Sequence, residues 1–213
     1  MSTMILNMRF KNFTHIALLL LCTLSVSIPP VDAKNILIYG DSLSAAYGMD
    51  EDQGWVKLLA DAVEGEHLIT NASISGETSS GGLARLELTL KELSPDMVFL
   101  ELGANDGLRG YPTDLLKTNL KAMINAIEAS GAKAAIASIS LPPTYGPRYI
   151  DQFRNVYSEL AREHNVPLLD LYQPSFAETP GYIQEDGLHP TEVTQPIIRD
   201  MVLEFFNNSN LLK

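Results

Sequence analysis

Cysteine is almost absent from this sequence: Cys22 is the only one in 213 residues. It lies inside an N-terminal segment that reads as a removable leader, so the chain that follows can form no disulfide and must be stabilised by packing. Basic residues are also scarce. There are 15 Lys and Arg against 26 Asp and Glu, for a formal net charge of −11. An acidic surface of this kind argues against nucleic acid as a partner. Long apolar runs are missing too. The run from Ile16 to Ile28 covers 13 residues and is interrupted by Thr23, Ser25 and Ser27, whereas a membrane-spanning helix needs about 20 apolar residues.

What is present at the N-terminus is ordered like a secretory signal peptide. Arg9 and Lys11 form a short basic region, the apolar run follows, and Val31-Asp32-Ala33 supplies the short residues of a cleavage site. The expectation is a leader over residues 1–33 and a single domain over 34–213. The product would be exported, periplasmic or secreted, with no stable membrane insertion after cleavage. Removing Arg9, Lys11 and Asp32 takes away a net +1, which leaves −12 on residues 34–213. With 46% hydrophobic and 19% charged residues, the composition is globular.

Beyond residue 33, short apolar runs alternate with helical periodicity. Strand-like runs cover Asn35–Tyr39, His67–Thr70, Met97–Leu102, Ala134–Ile139 and Val166–Leu171. Between them, apolar residues recur at helical spacing: Trp55, Leu59 and Val63; then Leu83, Leu86 and Leu90, stopped by Pro95; then Leu116, Leu120 and Ile127, closed by Gly131. Phe153, Val156 and Leu160 mark another helix, and Ile198, Met201 and Phe205 the last. Five strands alternating with helices predict an α/β domain with a five-stranded parallel sheet and helices on both faces. The strands are apolar throughout rather than alternating, as a sheet buried on both sides requires. Such sheets bind ligands beyond the carboxyl ends of their strands.

Four residue groups fall at that edge. Gly40-Asp41-Ser42-Leu43 follows the first strand, Gly76 the second, and Gly103-Ala104-Asn105-Asp106 the third. Asp186-Gly187-Leu188-His189 precedes the last helix. Taken singly, each has an ordinary reading: a helix cap, a turn glycine, a loop-and-cap pair, a surface histidine. Together they assemble a chemistry. A serine hydroxyl needs a base to become a nucleophile, and an imidazole suits that task near neutral pH. A carboxylate fixes the imidazole's tautomer and stabilises its charged form. Asp186 and His189 are close enough in sequence for one turn to hold both. Ser42, at a strand-to-helix turn, would face developing negative charge with a helix N-terminus behind it. The backbone N–H groups of Ser42 and Gly76 and the amide of Asn105 can donate to an oxyanion. A metal site at Asp186 and His189 lacks further ligands. His67 and His164 have no such setting and read as structural.

The four blocks, in this order and spacing, resemble those of the SGNH (GDSL) hydrolase superfamily. The stretches Asn71–Ser79 and Asn105–Gly110 look most like its exported bacterial thioesterase and lysophospholipase members. The resemblance implies a three-layer α/β/α, flavodoxin-like fold, with Ser42 as nucleophile, Asp186 and His189 as its partners, and Ser42, Gly76 and Asn105 as the oxyanion hole. It implies small acyl esters or thioesters as substrates and no metal or cofactor. Carbohydrate acetyl esters are the alternative within the same superfamily. Ala104 stands where the third block often has a second glycine, so its methyl group is expected to stiffen the loop or narrow the site. Leu43, Leu108, Tyr111, Tyr145 and Ile183 lie near the active edge in this reading, and Leu108, Tyr145 and Ile183 are the expected substrate walls.

Overall fold

The computed structural model of this protein describes residues 33–172 and 174–212. The expected leader therefore lies, but for Ala33, outside the described residues. In chain order the elements are β1 (Asn35–Gly40), α1 (Trp55–Ala62), β2 (Leu68–Asn71), α2 (Ser79–Leu93), β3 (Met97–Glu101) and α3 (Ala104–Leu108). They continue with α4 (Thr113–Ala129), β4 (Lys133–Ile139), α5 (Pro147–His164), β5 (Leu168–Tyr172), α6 (Pro174–Glu178) and α7 (Gln195–Asn208). Among the described residues no helix is long and apolar enough to cross a membrane.

The five strands form one parallel sheet in the order β2-β1-β3-β4-β5. Each strand divides its apolar residues between two faces. Leu37, Tyr39, Val98 and Leu100 pack with Leu86 of α2, Met123 of α4 and Phe153 of α5. Ile36, Ile38, Met97 and Phe99 pack with Trp55 of α1 and with Val202 and Phe206 of α7. Three layers result, as the continuous apolar runs require. Each large side chain buried this way contributes about 1.5–3 kcal/mol relative to exposure, and two such cores stabilise the domain without a disulfide.

The start of β5 and the segment after Ser42 differ from the sequence expectation. β5 begins at Leu168 rather than Val166, because Asn165 adopts a left-handed φ of +53° and Pro167 has no N–H to give the ladder. Nor does a helix follow Ser42. Residues 41–49 form consecutive turns, and the first α-helix starts only at Trp55. The turns are tied by Ala45 N–H to Asp41 O at 3.0 Å and Ser44 N–H to Asp41 O at 3.3 Å. A helix dipole is therefore not what stabilises charge at Ser42.

The order 2-1-3-4-5 reverses between β1 and β3. A crevice opens outside the carboxyl ends of the strands at that switch point. Ser42 follows β1 and Asn105 follows β3, so the two lie on opposite sides of it.

Candidate active site

The turn that carries Ser42 is built from beneath. Gly40 pairs with Glu101 across β1 and β3. A Cβ at position 40 would come within 2.6 Å of Glu101 Oε2 and 2.9 Å of Ser44 Oγ, so a side chain there would have to displace both groups. The chain then turns at Asp41, whose side chain is fully buried and accepts from Leu43 N–H at 3.1 Å. Trp55 Nε1 donates to Leu43 O at 3.0 Å and Asn71 Nδ2 to Ser44 O at 2.9 Å. The turn is thus held from α1 and β2 while Ser42 stays half-exposed.

Ser42 Oγ lies 2.9 Å from His189 Nε2, and His189 Nδ1 lies 2.6 Å from Asp186 Oδ2. A carboxylate can only accept, so Nδ1 carries the proton and Nε2 is left to accept from the serine hydroxyl. Asp186 Oδ1 accepts from the N–H groups of Leu188 and His189 at 2.9 and 3.0 Å. Burial alone would raise Asp186, but these bonds outweigh it and hold its carboxyl below the usual aspartate value. Gln184 ties this loop to the turn that carries Ser42. Its N–H donates to His189 O at 2.8 Å, and its Nε2 donates to Tyr47 O and Pro190 O, each at 2.9 Å. The Tyr47 ring lies against the imidazole, centroids 4.2 Å apart. Neither Gln184 nor Tyr47 belongs to the four residue groups that stand out in the sequence.

Gly76 sits in the loop before α2 with φ of +80°. Asn105 lies in the first turn of α3, and its Nδ2 donates one hydrogen to Asp41 Oδ2 at 3.1 Å. An amide nitrogen has two hydrogens, so the second remains for the crevice that Asn105 lines. Of the two positions where the third block has glycines elsewhere, only the first demands one. Gly103 has φ of +122°, and a Cβ there would collide with the Tyr157 hydroxyl. Ala104 occupies a regular helical position and lines the crevice with its methyl group. Asp106, buried like Asp41, accepts from Ser79 N–H and Ser79 Oγ at 2.7 and 2.6 Å. It thereby locks α3 to the start of α2, close to Gly76.

The crevice has a volume of about 240 Å³, and Leu43, Leu108, Ile139, Leu141, Pro142 and Leu188 supply its apolar walls. Leu108, one of the expected substrate walls, lines the crevice. Tyr145 and Ile183 are not among the walls, which corrects that expectation. Tyr145 donates its hydroxyl to Leu108 O at 2.7 Å and packs on the core below α3. Ile183 bridges to Pro190 and packs toward α7. Both support a wall rather than forming one. Tyr111 is also outside the crevice. His67 accepts from Lys34 N–H at 3.2 Å, and His164 lies on α5 beside Glu128; neither lines the crevice.

The site's acids titrate over distinct ranges. Burial pushes Asp41 up to about 6, against the opposing pull of Leu43 N–H, the Asn105 amide and His189. Burial, with the Asp41 charge beside it, pushes Glu101 well above the usual glutamate value. A raised carboxyl favours the fold when protonated. That stability is fully present below the unfolded value and lost as pH rises through the folded one, about 6 for Asp41. Asp186 is depressed, so its contribution is lost only below its unfolded value of 3.8. From pH 7.5 to 5, then, these three acids do not weaken the fold. A histidine base, however, must be neutral to act, and protonation of Asp41 weakens the anchor of Asn105. We expect kcat/KM to fall steeply over that interval while the thermal midpoint holds or rises. A flat rate profile would count against a histidine base; a midpoint falling in step with activity would mean that acid simply unfolds the protein.

A serine, an imidazole and a carboxylate joined by hydrogen bonds at the switch point of a parallel sheet define the serine hydrolases as the class. The chain matches the GDSL-like lipase/acylhydrolase family over residues 38–195, and it belongs to that family. It is 44% identical to the esterase TesA of Pseudomonas aeruginosa, over 80% of this chain and 86% of that one. It is 39% identical to thioesterase 1/protease 1/lysophospholipase L1 of Escherichia coli K12, over 91% of this chain and 93% of that one. Among solved structures, the psychrotrophic esterase EstA from Pseudoalteromonas, inhibited by monoethylphosphonate, superposes with a TM-score of 0.79. The identity there is 42%, over 82% of this chain and 97% of that one.

Proposed function

We propose that this protein is an exported serine esterase and thioesterase acting on acyl chains, lysophospholipids included. The observation that carries the reading is the unbroken line from Ser42 Oγ to His189 at 2.9 Å and on to Asp186 at 2.6 Å. His189 Nε2 takes the proton as Ser42 Oγ bonds to the acyl carbon. The carbonyl oxygen becomes an anion facing Ser42 N–H, Gly76 N–H and the free hydrogen of Asn105. Collapse of that intermediate breaks the bond to the leaving alcohol or thiol, which takes the proton from His189. Water then repeats the sequence on the acyl-enzyme, giving the free acid and restoring Ser42. Asp186 remains ionised throughout and stabilises the imidazolium. The first 33 residues serve as the export signal in this reading, and N-terminal sequencing of the exported protein, expected to begin at Lys34, tests that part.

The apolar walls favour an acyl chain over a sugar, since each methylene buried against them is worth about 0.8 kcal/mol. We expect kcat/KM to rise with chain length across p-nitrophenyl esters and acyl-CoA thioesters until the crevice is filled, and acetate to leave acetylated xylose slowly. Preference for the acetylated sugar over an eight-carbon ester would overturn the acyl-chain assignment and leave the serine chemistry in place.

A further inference from the structure

Glu101 is a fully buried carboxyl group that the mechanism above does not use. It ends β3, and the parallel register sets it directly beside Gly40. Its Oε2 accepts from Ser44 Oγ at 2.7 Å and from Asp41 N–H at 3.4 Å. Its Oε1 has no hydrogen-bond partner among the described residues. The two donors flank Ser42 in sequence. Both point into the protein, and Oε2 is the acceptor they share. A buried donor left without an acceptor is costly, so such groups move to find one.

We propose that Glu101 is a positioning residue for Ser42: from beneath Gly40 its carboxyl group holds the turn on both sides of the nucleophile and fixes where the serine hydroxyl meets His189. The assignment rests on Ser42 being the nucleophile. The missing side chain at Gly40 is part of the same device, because the carboxyl group occupies the space a Cβ would fill. The group acts as an acceptor through Oε2. Burial and the neighbouring Asp41 charge push Glu101 well above the usual glutamate value, and Asp41, on the other side of the turn, faces Asn105. A glutamine offers the same carbonyl at the same reach. An alanine leaves both donors empty, and the turn relaxes although Trp55 and Asn71 still hold its outer side.

The test compares Glu101→Gln, Glu101→Ala and Ser44→Ala on one medium-chain ester, with rates normalised to sites titrated by a serine-directed phosphonate. Misplacing a nucleophile by a fraction of an ångström costs rate rather than binding. Glu101→Ala should therefore lower kcat by about 10- to 50-fold, with KM within about threefold and phosphonylation slowed in parallel. Glu101→Gln should restore kcat to within about threefold of wild type. Ser44→Ala removes one of the two donors and keeps the core full, and should lower kcat by about 3- to 10-fold; it decides the matter if Glu101→Ala does not fold. The proposal is overturned by an unimpaired Glu101→Ala, by a Glu101→Gln as impaired as the alanine, or by losses confined to KM. With Glu101→Ala unfolded, an unimpaired Ser44→Ala overturns it as well. Ser42→Ala measured alongside separates the two claims: turnover surviving there removes the nucleophile assignment, whatever the Glu101 variants do.

Discussion

Ser42→Ala is expected to reduce ester hydrolysis to background, a loss of about 10⁶-fold in kcat by the precedent of serine nucleophiles in other hydrolases, without a change in fold. The hydroxyl's hydrogen-bond partner is His189. The turn itself is held by other groups: Asp41 through Leu43 N–H, Trp55 through Leu43 O, and Asn71 through Ser44 O. Deleting one half-exposed oxygen should therefore shift stability by less than about 1 kcal/mol. His189→Ala should cost about as much in rate as Ser42→Ala, and the double variant little more, because a nucleophile and its base act as one unit. The measurement is burst and steady-state turnover of a chromogenic ester, with a melting curve for each variant and mass analysis after phosphonate treatment. The wild type should gain one phosphonyl group and Ser42→Ala none. Turnover above about 1% by a folded Ser42→Ala protein, far more than the residual catalysis such sites retain, would remove Ser42 from the mechanism.

The sequence showed the sheet because a strand buried on both faces leaves an unmistakable mark: Val98, Phe99 and Leu100 have no polar residue between them, and all are buried. It pointed to Ser42, Asn105, Asp186 and His189 as candidates because each follows a strand or precedes the last helix at one edge of that sheet. The walls were harder to read. Tyr145 and Leu108 both lie in loops or short helices at the right edge, but which of them faces the crevice depends on a hydrogen bond between them. Glu101 was silent for another reason. It lies inside the strand run Met97–Leu102, where the pattern alone does not tell a buried carboxyl from an exposed one. Its burial comes from a long-range register, β3 beside β1, which sets the carboxyl beneath a glycine 61 positions earlier. Asp41 misled similarly, since Asp-Ser after a strand has the composition of a helix cap. No helix follows, and its carboxyl instead joins the Ser42 turn to Asn105.

That last bond gives Asn105→Ala a signature unlike that of Ser42→Ala. Asn105 meets two demands with one amide group. One hydrogen goes to Asp41 at 3.1 Å, and the other faces the crevice, where negative charge develops only in the transition state. Losing the second should lower kcat by about 10²–10³-fold and leave KM nearly unchanged, as for oxyanion donors in other hydrolases. Losing the first deprives a buried carboxylate of a donor, which costs about 1–3 kcal/mol. Asp41 should then titrate still higher, because the Asn105 amide is one of the groups that hold it down. The variant should therefore lose both rate and thermal stability, with the stability deficit shrinking as pH falls and Asp41 gains its proton. Ser42→Ala should show no such pH-dependent deficit. Titrating folded sites at each pH keeps the two losses apart. A change mainly in KM would assign Asn105 to ground-state binding, and a melting point equal to wild type at pH 7.5 would mean that Asp41 does not depend on it.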